Sequence, residues 1–270
     1  MPKISLENFD MAYEEHGIGT AILFIHGYLV NRFMWKPQIE DLKYRFRIIA
    51  PDLRGHGESS PVTGPYTMEL LADDCAFLLE HLRVDQPIFV CGLSMGGYVA
   101  MAFARKYSHK LAGLILTSTR CGVDSPETRL NREKTAEMVK QEGLSTAIDP
   151  LLAKLMAPQN YQTKDFLVAE IRQMMEKTSI NGVHGSLFGM RNRPDSREFL
   201  KTFKKPALII HGGCDQLAPL LEAELTKSYL PQASLKIILE AGHLPNLEQP
   251  QIFNKLIKNF MNKNIIQNYK

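Results

Sequence analysis

Long apolar runs are missing from this chain. No stretch approaches eighteen consecutive apolar residues, so the sequence offers no membrane-spanning helix and predicts no membrane association. Clustered cysteine is missing too. The four cysteines, Cys75, Cys91, Cys121 and Cys214, stand far apart with no C-x-x-C pair, a pattern of reduced thiols that places the protein in a reducing cytoplasm. No block of one charge stands out. The 32 basic and 29 acidic residues are dispersed and leave a net charge of +3, which argues against a nucleic-acid partner. Neither G-K-[ST] nor G-x-G-x-x-G occurs, so the glycine-rich turns at 54–57 and 92–97 predict no nucleotide cofactor. Internal repeats and low-complexity linkers are absent. The opening MPKISLENFDMAYEEHG has no long apolar core, carries acidic residues early and does not read as a signal peptide.

What is present is an ordinary globular composition, 44% hydrophobic and 23% charged over 270 residues. That length can bury a full core as one large domain or one domain with an insertion. Ile4 to Glu15 alternates as an edge hairpin would, and Ala21 to Ile25 is a short apolar strand ending in His26-Gly27-Tyr28. Trp35, Ile39 and Leu42 mark a helical face, and Arg47 to Ala50 a third strand running into Pro51-Asp52-Leu53-Arg54-Gly55-His56-Gly57-Glu58-Ser59. Met68, Leu71, Cys75, Leu78, Leu79 and Leu82 recur at helical spacing. Strand then alternates with helix, which predicts a right-handed, mostly parallel sheet with helices on both faces.

The alternation breaks near Cys121. From there to about Arg193 only helical patterns appear, at 130–141, 145–156, 165–177 and 182–190, with five methionines among them. Residues 121–200 are therefore expected to form a helical insertion, with 1–120 and 201–270 as the core. Met174 and Met175 are the first candidates to face a pocket beneath it. The strand Ala207 to Ile210, a helix from about Leu220, the strand Leu235 to Leu239 and a helix through Phe260 complete the pattern. Asn262 to Lys270 reads as a frayed polar tail.

The chain is organised around Pro87 to Tyr107. A charge-free strand, Pro87-Ile88-Phe89-Val90-Cys91, turns through Gly92-Leu93-Ser94-Met95-Gly96 into a helix of small residues. G-x-S-x-G between a buried strand and a helix is a nucleophile elbow, a strained turn that lifts the serine hydroxyl clear of the sheet. The helix start aims its N–H groups and positive dipole end at the same point. A serine needs a base, and the base an orienting acid. Asp215 and His243 each follow a late strand and fall in the order Ser, Asp, His that such a scaffold uses. His211 is the rival base, but its place before Gly212-Gly213 favours a structural role; His109 and His184 read as solvated. Glu240 lies too close to His243 to reach around its ring, and Glu248 reads as a helix N-terminal charge. The oxyanion donors are expected to be the N–H groups of Met95 and Tyr28, with Gly27, Gly92 and Gly96 allowing close backbone approach. His26 is expected to brace the loop.

HGY at 26–28, PDLRGHGES at 51–59, GLSMGG at 92–97, Asp215 after a strand and AGHLPNLEQP at 241–250 together resemble the α/β-hydrolase superfamily. The resemblance spans nearly the whole chain outside the insertion. It implies an eight-stranded, mostly parallel sheet with a helical cap over the site, needing neither metal nor cofactor. Its character is that of serine carboxylesterases and the enol-lactone hydrolase-like branch, with HGY leaning toward the esterases. Ser94 stands against relatives with an aspartate nucleophile. The expected activity is hydrolysis of small-molecule carboxylic esters through an acyl-enzyme. Lactonases and C–C bond hydrolases with the same triad, or a ligand-binding receptor on this scaffold, are the alternatives.

Overall fold

The computed structural model describes residues 2–267. In chain order its elements are β1 (Lys3–Ser5), β2 (Asp10–His16), β3 (Ala21–Ile25), α1 (Lys36–Leu42), β4 (Arg47–Pro51), α2 (Met68–His81), β5 (Ile88–Leu93), α3 (Met95–Lys106) and β6 (Leu111–Thr117). Six helices follow: α4 (Pro126–Glu142), α5 (Ser145–Leu155), α6 (Pro158–Thr163), α7 (Asp165–Glu176), α8 (Ile180–Arg191) and α9 (Arg197–Thr202). The chain then returns through β7 (Ala207–Gly212), α10 (Leu220–Tyr229), β8 (Ser234–Ile238), α11 (Pro245–Glu248) and α12 (Pro250–Gln267).

The strands form one eight-stranded sheet in the order β1-β2-β4-β3-β5-β6-β7-β8, antiparallel only where β2 meets β1 and β4. Fully buried strands such as β3 (AILFI) and β6 (LAGLILT) are what a sheet covered on both faces requires. Handedness then places the helices. From β3 the chain crosses by α1 to β4 on one side, whereas from β4 it crosses by α2 back past β3 to β5. Two right-handed crossovers in opposite directions put α1 and α2 on opposite faces. Accordingly α1 packs with α12, and α2 packs with α3. Reversal of direction between β3 and β5 also leaves a crevice beyond their carboxyl ends, where α/β sheets bind ligands. Both the loop after Ile25 and the elbow after Leu93 open there.

Between β6 and β7 the described residues hold no strand. Helix α8 is tied to the core by backbone: Ser179 N–H donates to Gly55 O and Tyr66 N–H to Gly185 O, each at 2.8 Å. At the other end of the chain the structure corrects the expectation of a frayed tail. Helix α12 continues to Gln267, burying Met261 and Asn264 and packing Ile265 on the core; Lys270 lies outside the described residues. No described helix is long and apolar enough to cross a membrane.

Candidate active site

Ser94 lies at the junction of β5 and α3 with φ 54° and ψ −112°, a conformation that costs an L-residue about 1–3 kcal/mol. The surroundings hold it there. Ser94 N–H donates to Thr117 O at 2.9 Å, and Ser94 O accepts from Thr119 Oγ1 at 2.8 Å and Gly97 N–H at 2.9 Å. The flanking glycines are required by space. A Cβ on Gly92 would stand 2.0 Å from Gly96 O, and one on Gly96 would stand 2.1 Å from Ile25 O. Gly27 is less constrained, since a Cβ there would meet the movable Leu93 Cδ2 at 3.3 Å. Met95 is the first residue of α3, so its N–H has no partner within the helix.

Asp215 sits in the loop after β7, 28 residues ahead of His243. Its Oδ2 accepts from His243 Nδ1 at 2.8 Å, while its Oδ1 accepts from Leu217 N–H at 2.8 Å and Ala218 N–H at 3.0 Å. Burial alone would raise this carboxyl, but the His243 ring and the two N–H groups outweigh it and hold Asp215 below the ordinary carboxylate range. With Nδ1 donating to a carboxylate, His243 presents Nε2 as an acceptor. Ser94, His243 and Tyr28 line a common cavity, so three segments distant in sequence converge. His211, by contrast, is buried with Nε2 donating to Ala218 O at 2.9 Å, and burial lowers its pKa. Its ring supports the loop that carries Asp215.

His26 is fully buried, with Nδ1 donating to Gly27 O at 2.8 Å and Nε2 accepting from Leu53 N–H at 2.9 Å. It thereby joins the loop bearing Tyr28 to the 52–59 turn. In that turn Asp52 accepts from the N–H groups of Arg32 and Glu58 and pairs with the Arg32 guanidinium, and Arg54 makes a two-pronged pair with Asp74. The charged side chains of PDLRGHGES are thus paired within the fold, Asp52 and Glu58 with Arg32 and Arg54 with Asp74.

Glu248 lies in the first turn of α11, as the sequence suggests, but its role goes further. It is 2% accessible, accepting from Gly242 N–H at 2.8 Å, Ala157 N–H at 2.8 Å and Asn160 Nδ2 at 2.7 Å. One carboxylate therefore fixes the residue before His243 and ties that loop to the segment joining α5 and α6. No local pattern signals this, because Ala157 lies 91 residues away. Glu240 is exposed.

The methionines are also placed differently. Met175 is buried in the helical packing, and Met174 lines a separate groove with Phe33 and Leu247. Those that reach the Ser94 cavity are Met138 and Met190. That cavity has two parts. An inner one of about 40 Å³ is lined by Val30, Ser94, Leu151, Leu155, His243 and Leu244, among others. An outer one of about 710 Å³ extends between α4, α5 and α8.

His26 and the adjacent His56, their ring centroids 5.0 Å apart, carry a pH dependence. Burial lowers His26 to about 4 and His56 to about 3, the latter also through repulsion from His26. Both rings are neutral in the fold and protonate more readily once unfolded, at the ordinary value near 6.5. Their contribution is therefore fully present above about pH 6.5 and is lost as pH falls toward the folded values, at about 1.4 kcal/mol per unit for each ring. Replacing His56 by Asn, which can still donate to Arg54 O, should remove one ring's share. Between pH 7 and 5 the variant should lose roughly 2 kcal/mol less stability than wild type in denaturant unfolding, an average of about 1 kcal/mol per unit. Equal losses would mean that His56 titrates alike in the folded and unfolded chain.

Comparison with known proteins agrees with this architecture. A family model described as the alpha/beta hydrolase fold matches residues 20–250. The chain is 39% identical to a thermophilic esterase from Thermogutta terrifontis, whose structure superposes with a TM-score of 0.94 over 98% of this chain and 99% of that one. The enol-lactonase from Burkholderia xenovorans superposes at 0.90 with 26% identity, over 97% of this chain and all of the other. 3-Oxoadipate enol-lactonase 2 of Acinetobacter baylyi is 27% identical over 90% of this chain and 89% of its own. Sheet order, elbow and family match all lead to one assignment: the chain belongs to the α/β-hydrolase fold family.

Proposed function

We propose that this protein is a serine carboxylesterase that cleaves small-molecule carboxylic esters through an acyl-enzyme. The observation that carries the reading is the hydrogen-bonded Asp215–His243 pair opening onto the same cavity as a strained, pinned Ser94. In the proposed reaction Ser94 Oγ attacks the ester carbonyl while His243 Nε2 takes its proton, and Asp215 orients and charge-balances the ring. The N–H groups of Met95 and Tyr28 receive the developing oxyanion. His243 then returns the proton to the departing alcohol, and water repeats the sequence on the acyl-enzyme. Similarity to an esterase and to enol-lactonases supports ester-type hydrolysis, and a lactone is an internal ester open to the same attack. No step needs a metal or cofactor. The four cysteines are unpaired thiols, which supports placement in the cytoplasm.

Helices α4 to α9 are read as a cap over the site, since α4, α5 and α8 all contribute walls to the Ser94 cavity. Size selection is assigned to the inner part. About 10–15 Å³ of such space holds one water-sized group, so the inner 40 Å³ takes an acyl chain of only a few carbons. Across p-nitrophenyl esters, kcat/KM should peak at short acyl chains and fall beyond butyrate, with a burst of p-nitrophenol marking acyl-enzyme build-up. Leu155→Ala, which removes cap wall beside Ser94, should move the optimum to longer chains, with a relative gain of roughly tenfold at hexanoate over acetate. Absence of turnover on every chain length would refute the esterase reading. A uniform change across lengths would refute the inner cavity as the selector.

A further inference from the structure

The outer cavity has a one-sided charge. Arg120, Arg132 and Lys154 line it, together with neutral polar groups such as Asn131 and Gln216, and no Asp or Glu does among the described residues. Of the acids behind the lining, Asp215 is engaged by His243, and the others are too few to balance the cations. Asp124 is shared by two guanidinium groups, those of Arg132 at 2.5 Å and Arg193 at 2.7 Å. Glu222 stands 3.9 Å from Arg120, whose guanidinium also donates to Leu217 O at 2.8 Å. Lys154, exposed on α5, has no ion pair among the described residues. A chain with a net charge of only +3 has thus gathered three cations in the lining of one cavity.

A second observation is independent of that count. Tyr28 lines the same cavity, and its hydroxyl is buried with no hydrogen-bond partner among the described residues. Burial pushes its phenol above the ordinary range against the pull of the Arg132 charge, so Tyr28 stays a neutral donor. A buried hydroxyl without a partner is destabilising, and a ligand oxygen reaching it would relieve that. Cations with no facing acid also favour an anion by attraction through a low-dielectric cleft.

We infer that the outer cavity receives an ester bearing a carboxylate, held by Lys154, Arg120 and Arg132 with Tyr28 Oη as a further donor. This rests on the ester-hydrolase reading, and it adds the chemical class of substrate. With a short acyl group seated in the inner cavity, the carboxylate belongs on the leaving alcohol.

The test compares charged esters with neutral isosteres by pH-stat titration. One arm sets O-acetylglycolate against O-acetylglycolamide, with the charge on the alcohol side. The other sets monomethyl glutarate against methyl glutaramate, with the charge on the acid side. O-Acetylglycolate should exceed its neutral partner by about tenfold in kcat/KM, and that preference should shrink as salt screens it. Lys154→Gln and Arg120→Gln should each lower the charged-to-neutral ratio severalfold. A preference in the glutarate arm alone would overturn the assignment to the leaving side. Equal or better turnover of the neutral ester in both arms would overturn the inference while leaving the esterase reading intact. Binding is read separately in Ser94→Ala protein. Glutarate, but not glutaramide, should raise its Tm, and adding Lys154→Gln should reduce that rise. Equal shifts by the two ligands would sink the anion site whether or not any ester is hydrolysed.

Discussion

Ser94→Ala should fold as the wild type does and lose roughly 10⁶-fold in kcat on p-nitrophenyl butyrate, the loss expected when the nucleophile is taken from a group of residues acting as a unit. The fold should survive because every interaction that holds the elbow uses the backbone of residue 94 or its neighbours. Thr117 O still receives its N–H, and Thr119 Oγ1 still donates to its carbonyl. Alanine inherits the same positive φ, so the strain neither grows nor falls. Ser94→Gly separates strain from chemistry. It relieves part of the 1–3 kcal/mol held in the turn, less about 1 kcal/mol of added chain entropy, so its Tm should match or exceed that of Ser94→Ala with no return of activity. Thermal unfolding, steady-state kinetics and fluorophosphonate labelling read by mass spectrometry decide it. Labelling at another serine, or retention of even a hundredth of the activity, would remove Ser94 from the role.

The features legible in the sequence are those whose physics is local. A charge-free strand, two glycines that space requires and a helix of small residues stand within twenty positions, so the elbow can be read directly. Asp215 and His243 can be read because strand ends in a parallel sheet share one edge, and a residue's place after a strand is a matter of order along the chain. Glu248 is different. Its burial depends on the N–H groups of Ala157 and Gly242 being brought to it by folding, and a glutamate near a helix start looks the same whether solvated or clamped. Methionine placement fails for a related reason. Periodicity marks which face of a helix is buried but not what it is buried against. Met174 and Met175 on α7 met other helices, while Met138 on α4 and Met190 on α8 reached the site. The C-terminal helix is legible as far as Phe260, but its last turns are not, although Ile257, Met261 and Ile265 repeat at four-residue spacing. Polar composition after Phe260 hides the repeat. Helices α6 and α9, six residues each, are too short for any period to show.

Asp215→Asn should cost about 10⁴-fold in kcat with little change in fold, and the reason lies in which atoms remain. The asparagine oxygen can keep the place of Oδ1, accepting from Leu217 and Ala218 N–H, because those two donors accept no substitute for an acceptor. The amide nitrogen then falls where Oδ2 stood, 2.8 Å from His243 Nδ1, and presents a hydrogen to it. Nδ1 must become the acceptor, which moves the ring proton to Nε2. In the proposed reaction that nitrogen takes the proton from Ser94, so the substitution should remove the base while leaving all three side chains in position. At 1.36 kcal/mol per tenfold, the loss corresponds to about 5–6 kcal/mol of transition-state stabilisation. Asp215→Ala would be a poorer test, because two buried N–H groups would go unsatisfied at about 1–3 kcal/mol each and the loop itself would shift. Glu240→Gln is the matched control, an exposed carboxylate three residues before His243, and should stay within about twofold of wild type. Measurement of kcat/KM and Tm for the three proteins separates tautomer from scaffold. If Asp215→Asn kept more than a tenth of wild-type activity while Glu240→Gln fell by orders of magnitude, the orienting acid would be Glu240, and the Asp215 carboxylate would serve only to cap the turn at Leu217 and Ala218.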